Sequence, residues 1–169
     1  VEETSTNKIV LYSSAQTGKT TELKQLCWEL QQSGLYLPVS FEVRTNTKLK
    51  RDDLPESQYV DGREVVLVID ALDEVNGQKY EDLLEEIGGY AYEHPEMKMV
   101  LSCRSNFRRE RQLELFTELF LEELSIDDAR DYAAKREVNS DRFMRSVFAN
   151  QLEDFIKNPF FLSVLIDAY

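Results

Sequence analysis

The sequence predicts an α/β fold in which a parallel sheet lies between two layers of helices and is followed by a small helical region. Up to residue 124, short apolar runs typical of strands alternate with amphipathic helical patterns. Residues 65–69 are all aliphatic, as expected for a central parallel strand that is buried on both faces. Beyond residue 124 the pattern is helical only. We therefore expect a core domain over residues 1–124 and the start of a helical subdomain over residues 125–169.

Composition limits the possible functions. With 169 residues, 42% of them hydrophobic, the chain can form one well-packed domain with a small appendage. The net charge of −12 argues against nucleic-acid binding through this domain, because such binding needs a basic face. No apolar run is long enough to span a membrane, and no basic-then-apolar leader begins the chain. We expect a soluble, cytoplasmic protein that does not contact membranes.

Cysteine and histidine are scarce, which argues against other kinds of site. Cys27 and Cys103 do not form a disulfide framework, and we expect two buried thiols. His94 is the only histidine, so a histidine metal site or a Ser/His/Asp triad has almost nothing to be built from.

The first strand, residues 9–12, runs into a turn and then into a helix that ends near residue 34, the setting in which a phosphate-binding loop is credible. Gly18, Lys19 and Thr20 match the end of the usual pattern of Gly, four residues, Gly-Lys-Ser/Thr, while Ser13 holds the leading glycine position. If that position requires a positive φ, a serine there destabilises the loop by about 1 kcal/mol relative to a glycine. The alternative is an ordinary strand-to-helix turn capped by Thr17. The candidate phosphate-binding residues are Ser13, Ser14, Ala15, Gln16, Thr17, Gly18, Lys19, Thr20 and Thr21.

The residue types of this turn suit phosphate chemistry. Backbone N–H groups of the turn and of the helix N-terminus form a concave anion site, which Gly18 leaves open because it has no Cβ. Lys19 supplies a mobile positive charge for the outer phosphates. The Thr20 hydroxyl can bind a Mg²⁺ ion that is shared with the nucleotide.

A second strand is expected at residues 37–43, followed by a polar surface connection over residues 44–62 with one short helix. The buried strand 65–69 then closes on Asp70. Acidic groups at the carboxyl end of such a strand face the crevice where open α/β sheets bind ligands, so Asp70 is the candidate metal carboxylate. Asp73 and Glu74 follow, and either can orient a water for attack on the terminal phosphate.

A helix over residues 80–92, broken by two glycines, leads to a strand over residues 97–103 that delivers Arg104 to the same edge of the sheet. A cation there can contact the γ-phosphate and report its presence. The alternative is an ion pair of Arg104 with Asp70 or Asp73, which the residue can form when the site is empty. Arg108, Arg109 and Arg111 have two interpretations of equal weight. They form either a local basic patch or a solvated helix face that pairs with nearby acids.

The remainder of the chain predicts one more short strand and then helices. The strand is expected at residues 120–124, and Ser125 is a candidate N-cap for a helix over residues 126–136. Further helical patterns extend to residue 166, with a Pro at position 159.

Together these stretches resemble the NACHT group of STAND NTPases, the signal-transducing P-loop ATPases that include animal immune receptors and bacterial antiphage sensors. The resemblance covers nearly the whole chain. Its motifs are Gly18-Lys19-Thr20-Thr21-Glu22-Leu23, Asp70-Ala71-Leu72-Asp73-Glu74, Leu101-Ser102-Cys103-Arg104-Ser105-Asn106-Phe107 and Asn158-Pro159-Phe160-Phe161-Leu162.

The resemblance implies an ATP- or ADP-binding core with Mg²⁺ as cofactor, self-association in a longer protein, and a role in signalling or antiviral defence. It implies that Lys19 and Thr20 bind phosphate and Mg²⁺ and that Asp70 binds the metal through water. Asp73 would be the base that orients the attacking water, with Glu74 assisting. Arg104 would sense the γ-phosphate, and Pro159 would lie beside the adenine. Ser13 and Gln16 depart from the glycines of most members. Members also carry a winged-helix element and a sensor region, so we expect this chain to be a piece of a larger protein.

Three functions remain open at this stage. The first is an ATP-dependent switch that hydrolyses ATP slowly. The second is an oligomerisation scaffold in which the altered loop holds nucleotide with little or no turnover. The third, a small-molecule P-loop kinase, would need a basic lid and an acceptor pocket, for which the acidic helical tail is a poor candidate.

Overall fold

The structure, a computed structural model, describes residues 7–43, 49–75, 77–108 and 113–169. Over these residues the chain has an α/β fold with six strands and six helices. The strands are β1 (Lys8–Ser13), β2 (Tyr36–Glu42), β3 (Tyr59–Val60), β4 (Arg63–Asp70), β5 (Lys98–Arg104) and β6 (Thr117–Phe120). The helices are α1 (Lys19–Ser33), α2 (Gln78–Glu93), α3 (Ile126–Lys135), α4 (Ser140–Ala149), α5 (Glu153–Ile156) and α6 (Pro159–Ala168).

The chain divides into two compact units. Unit 1 comprises Val1–Ser14 and Lys19–Phe120, and unit 2 comprises Ala15–Gly18 and Leu121–Tyr169. The division follows β6, slightly before the boundary expected at residue 124. It also groups the middle of the predicted phosphate loop with the C-terminal helices rather than with the sheet.

The sheet of unit 1 has the strand order β2-β4-β5-β1-β6, and these five strands run parallel. The expected α/β fold with a parallel sheet is therefore confirmed. The strand order has a physical consequence for the site, because β5 lies between β1 and β4 and brings its carboxyl end between theirs. The polar ends of three strands are thus neighbours at one edge.

Strand β3 was not expected from the sequence. It pairs antiparallel with the start of β4 through a two-residue turn, Asp61-Gly62, in which both residues have positive φ (51° and 76°). This is the backbone of the type I′ hairpin turn that Asp-Gly favours. The Asp-Gly pair was the available signal, within a segment interpreted as a surface connection. The short helix expected there is a 3₁₀ turn at Arg51–Asp53, and residues 44–48 lie outside the described part of the chain.

Helices cover both faces of the sheet in unit 1. Val65, Leu67 and Ile69 pack in the cluster that contains the buried residues of α2, whereas Val66 and Val68 pack with Leu23 of α1. Because alternate residues of a strand point to opposite faces, α1 and α2 lie on opposite sides of β4. Asp70 has the same parity as Val66 and Val68, so it belongs to the α1 face. Helix α2 runs without interruption through its two glycines.

The strand expected at residues 120–124 lies earlier, at Thr117–Phe120. Its register with β1 pairs Ile9 with Thr117 and Tyr12 with Phe120. The rings of Tyr12 and Phe120 stack, with 5.6 Å between their centroids. Leu124 was misassigned because its apolar side chain packs against the core of unit 2 instead of the sheet.

Unit 2 has its own hydrophobic core, and side chains cap three of its four helices, α3, α4 and α6. The buried residues of this core are Ala129, Ala133, Phe143, Met144, Val147, Ile156, Leu162 and Ile166. The expected N-cap is confirmed, since Ser125 Oγ accepts a hydrogen bond from the Asp128 N–H at 3.1 Å. Helix α3 begins at Ile126 as expected. In the described ranges, no helix combines the length and apolar character that a membrane span requires.

Candidate functional site

The carboxyl ends of β1, β4 and β5 bring the predicted polar residues of unit 1 to one edge of the sheet. Ser13 and Arg104 are register partners across β1 and β5. Ile69 and Leu101 are register partners across β4 and β5, so Asp70 and Ser102 are the next residues along those two strands. This edge is where parallel α/β sheets bind ligands.

Lys19, the first residue of α1, points its ammonium group back to the end of β1. Its Nζ donates to Ser13 Oγ at 2.9 Å and to the Ser14 carbonyl at 3.3 Å. Burial lowers the pKa of Lys19; Asp73 and, less strongly, Asp70 oppose that shift, while Arg104 adds to it. The ammonium group is therefore within electrostatic range of both carboxylates and of the guanidinium.

Asp70 ends β4 in a nearly buried position, and a neighbouring strand fixes its carboxylate. Ser102, which is completely buried in β5, donates its hydroxyl hydrogen bond to Asp70 Oδ1 and accepts one from the Ala71 N–H at 3.0 Å. Because the hydroxyl bridges side chain and backbone, the carboxylate is held in one orientation. Ser102 lies within a recognised motif, but the sequence assigned it no role.

Asp73 lies in the 3₁₀ turn Leu72–Glu74 that follows, and both of its oxygens bind Arg104. Oδ1 accepts the Arg104 backbone N–H at 2.9 Å, and Oδ2 forms an ion pair with Arg104 Nε at 2.8 Å. Ala71 turns the chain with a left-handed φ of 62°, a conformation that is less unfavourable for alanine than for a β-branched residue. An ion pair with an aspartate was the alternative to phosphate sensing by Arg104, and the structure contains the Arg104–Asp73 pair. Glu74 is exposed in the same turn.

The loop Ala15–Gly18 is part of unit 2, and two of its residues have left-handed backbone. Gln16 has a φ of 62° and Gly18 a φ of 96°, while Thr17 between them is buried. A Cβ at Gly18 would meet no atom of the described chain within 4 Å, so its surroundings are open. Asn158 Nδ2 donates to the Ala15 carbonyl at 3.2 Å, and Pro159 follows as the first residue of α6.

Ser13 does not have the positive φ that would make a serine strained at this position. Ser13 is the last residue of β1 and is paired in register with Arg104, so it has extended backbone. Its hydroxyl instead accepts the Lys19 hydrogen bond, a role that a glycine cannot fill. The unfavourable φ is at Gln16, the other departure from glycine.

Thr20 and Asp70, the two residues predicted to hold Mg²⁺, line one cavity in unit 1. It has a volume of about 220 Å³ and lies beside α1 and the ends of β2 and β4. Within residues 7–43, 49–75, 77–108 and 113–169, no group of three or more His, Cys, Asp or Glu is placed to hold a metal ion. Mg²⁺ would therefore need water and phosphate oxygens to complete its coordination. Thr21, the next residue of α1, is exposed.

Glu42 was missed by the sequence interpretation. It ends β2, is the register partner of Asp70, and lines the same cavity. Its position at the end of an apolar strand, directly comparable to that of Asp70, was the signal. Among the arginines, Arg108 pairs with Glu118 through Nε at 2.8 and 2.9 Å, as the solvated interpretation expected, whereas Arg109 and Arg111 lie outside the described residues.

The two thiols differ in burial. Cys103 is buried and Cys27 is half-buried, and both are free. Burial raises the pKa of Cys103, whose Sγ lies 3.4 Å from the Tyr80 hydroxyl oxygen.

No protein-family model matches this chain, and a search of curated proteins finds no match. What the chain does has therefore to be inferred from its own residues.

Proposed function

We propose that this chain is the Mg²⁺-dependent ATP-binding core of a NACHT-type STAND switch, a cytoplasmic P-loop NTPase module of a larger signalling or defence protein. In this proposal it hydrolyses ATP slowly, and the ATP-bound protein self-associates. One observation carries the proposal: Lys19 and Arg104 meet Asp70 and Asp73 at the carboxyl ends of adjacent parallel strands. Two cations and two fixed carboxylates at such an edge suit a phosphate chain with a bound metal ion.

Lys19 and Arg104 provide the positive charge. Among the described residues, the ammonium group of Lys19 donates to two neutral oxygens, the Ser13 hydroxyl and the Ser14 carbonyl. Charged phosphate oxygens would replace them favourably, because Coulomb attraction adds to a hydrogen bond whose donor and acceptor carry opposite charges. Arg104 would likewise exchange its contact with Asp73 for the γ-phosphate.

Thr20 and Asp70 are the residues that would hold Mg²⁺, with Ser102 keeping the Asp70 carboxylate in place. When bound, the ion would neutralise charge on the phosphates as the γ-phosphoryl group is transferred.

Hydrolysis makes a further demand on Asp73. Each of its oxygens accepts one contact from Arg104, and movement of the guanidinium to the γ-phosphate would leave Oδ2 open to a water. Glu74 is exposed in the same turn and can assist. In this way the γ-phosphate would both bind Arg104 and make Asp73 available.

The ion pair between Arg104 and Asp73 favours a second candidate function, a nucleotide-binding scaffold with little or no hydrolysis. If Arg104 stays on Asp73 in the ATP complex, its guanidinium remains at Oδ2 and hinders a water from binding there. Nucleotide would then be bound and not turned over.

The binding test compares Lys19→Ala with Lys98→Ala, since Lys98 begins β5 at the end opposite Arg104 and pairs with Glu64. Calorimetric titration of the purified protein with Mg·ATP should give a roughly ten- to a hundred-fold weaker affinity for Lys19→Ala, the value of one charge-assisted contact of about 1.5–3 kcal/mol. Lys98→Ala should bind like the parent. Equal affinity of the parent and Lys19→Ala would reject this phosphate site.

The two candidates are separated by phosphate release. A switch predicts steady release above background in the parent that is lost in Asp73→Asn, with Glu74→Gln showing a smaller loss. A scaffold predicts tight ATP binding with release at background in all three proteins.

A further inference from the structure

Asn158 makes two hydrogen bonds with the two ends of one side-chain amide. Its Oδ1 accepts the Phe160 N–H at 3.0 Å and so caps α6. Its Nδ2 donates to the carbonyl oxygen of Ala15 at 3.2 Å. All three residues belong to unit 2. The N-cap of α6 is thus tied directly to the loop Ala15–Gly18.

The second bond fixes the orientation of the peptide group between Ala15 and Gln16. In a trans peptide the C=O and the following N–H point in opposite directions, and no cis peptide is found among the described residues. Because Asn158 holds the Ala15 carbonyl, the Gln16 N–H points away from Asn158. The same peptide precedes the left-handed φ of Gln16, a conformation that a residue other than glycine adopts at a cost.

Left-handed residues at alternate positions, here Gln16 and Gly18, are a backbone arrangement typical of anion-binding nests, in which successive N–H groups converge. We propose that Asn158 is a positioning residue for phosphate binding: by holding the Ala15 carbonyl it keeps the Gln16 N–H turned to the concave side of the loop. This inference rests on the proposed function. It adds a residue outside the loop that sets the loop's ability to bind phosphate.

The chemistry of the position separates this role from helix capping alone. Serine and aspartate cap helices as well as asparagine does. Asparagine differs because it accepts at the cap and donates at the loop with the same side chain. Asn158→Ser therefore keeps a good cap and a neutral charge but is too short to reach Ala15. A matched control in the same unit is Asn139→Ser, since Asn139 caps α4 by accepting the Arg142 N–H at 3.0 Å.

The first measurement uses the protein without ligand. Loss of the bond in Asn158→Ser should shift the carbonyl ¹³C resonance of Ala15 and the amide resonance of Gln16 in NMR spectra, while Asn139→Ser leaves both in place. An unchanged Ala15 carbonyl resonance in Asn158→Ser would overturn the inference.

The second measurement titrates the parent and both variants with Mg·ATP and with tripolyphosphate, which has no base or ribose. Asn158→Ser should lower the affinity for both ligands by the same factor, roughly two- to tenfold, as expected for the loss of one neutral hydrogen bond. Asn139→Ser should leave both affinities unchanged.

The outcomes distinguish the inference from the function on which it rests. If the parent binds both ligands and Asn158→Ser weakens ATP alone, Asn158 acts at the base end near Pro159 and the positioning role is wrong. If Asn158→Ser binds both ligands like the parent, the inference fails and the proposed function stands. If the parent binds neither ligand, both fail.

Discussion

Arg104 contacts Asp73 with two groups that differ in mobility. Its backbone N–H is part of the end of β5 and stays in place, while the half-exposed guanidinium can rotate away. Asp73 therefore keeps one fixed hydrogen bond whichever partner the guanidinium has. A single side chain can in this way report the presence of a phosphate without disturbing the turn that carries the carboxylate.

Arg104→Ala should weaken ATP much more than ADP, by about 1–3 kcal/mol, because the lost contact exists only when the γ-phosphate is present. Calorimetry with both nucleotides in Mg²⁺ measures the difference. Arg108→Ala is the control, since Arg108 pairs with Glu118 instead. An equal loss for the two nucleotides would make Arg104 a general anion contact or a structural partner of Asp73.

Two substitutions to glycine should have opposite effects on stability. Gln16→Gly removes the cost of a left-handed φ, about 1–2 kcal/mol, and adds backbone entropy to the unfolded chain, for a net gain of roughly 0.5–1 kcal/mol. Ser13→Gly puts glycine in a strand and removes the oxygen that accepts from Lys19, so it should lose about 1 kcal/mol or more. Chemical denaturation measures both. A stabilising Ser13→Gly would show that Ser13 is strained after all.

At the scale of elements, β1 and the end of α2 are joined by a buried lysine. Lys8 is 3% exposed, and its Nζ donates to the carbonyls of His94, Pro95 and Met97 at 3.1, 2.7 and 3.3 Å. The negative end of the α2 dipole and the following turn thus receive a positive charge from the first strand. Burial lowers the pKa of Lys8, and Glu96 opposes that shift.

Lys8→Met keeps the length of the side chain but leaves those carbonyls without their donor, so it should cost roughly 1.5–3 kcal/mol of unfolding free energy. Lys98→Met is the matched control, because Lys98 forms a part-exposed pair with Glu64 at 2.7 Å that should be worth under about 1 kcal/mol. Urea denaturation gives both values. Similar losses would mean that the three carbonyls are satisfied without Lys8.

At the scale of the molecule, each unit has a hydrophobic core of its own. Unit 1 is organised around the buried strand β4, and unit 2 around residues of α3 to α6 such as Phe143 and Leu162. The loop Ala15–Gly18 belongs to the second of these units although it follows β1 in the chain. The loop therefore packs with helices that lie more than a hundred residues later in the chain.

Leu162→Ala should lower the stability of unit 2 by about 2–5 kcal/mol, since the side chain is 1% exposed and its removal leaves a cavity. Hydrogen exchange should show lost protection in α3 to α6 and in residues 15–18, with the strands of unit 1 retained. Leu67→Ala in β4 should give the reverse pattern. If both variants lost hydrogen-exchange protection equally in the two units, the cores would not be separate.

The site could be predicted only in part, because local pattern does not determine partners. The motifs led to Lys19, Asp70, Asp73 and Arg104, which the structure brings to one edge of the sheet. Ser102 and Glu42 acquire a place in the site only through strand register, and Asn158 reaches Ala15 across 143 positions of sequence. The end of an apolar strand was a local signal for Glu42, but the contacts of Ser102 and Asn158 leave none.

By itself, the sequence determined the parallel α/β core, because aliphatic runs that end in polar residues specify buried strands and their carboxyl ends. It also determined the cap of α3, which depends on residues three positions apart. Only the tertiary structure decided that Asp73 is paired with Arg104, that strain falls at Gln16 rather than Ser13, and that Leu124 packs in unit 2. Each of these depends on which segments meet in space, and burial and register choose those partners among many that the local pattern allows.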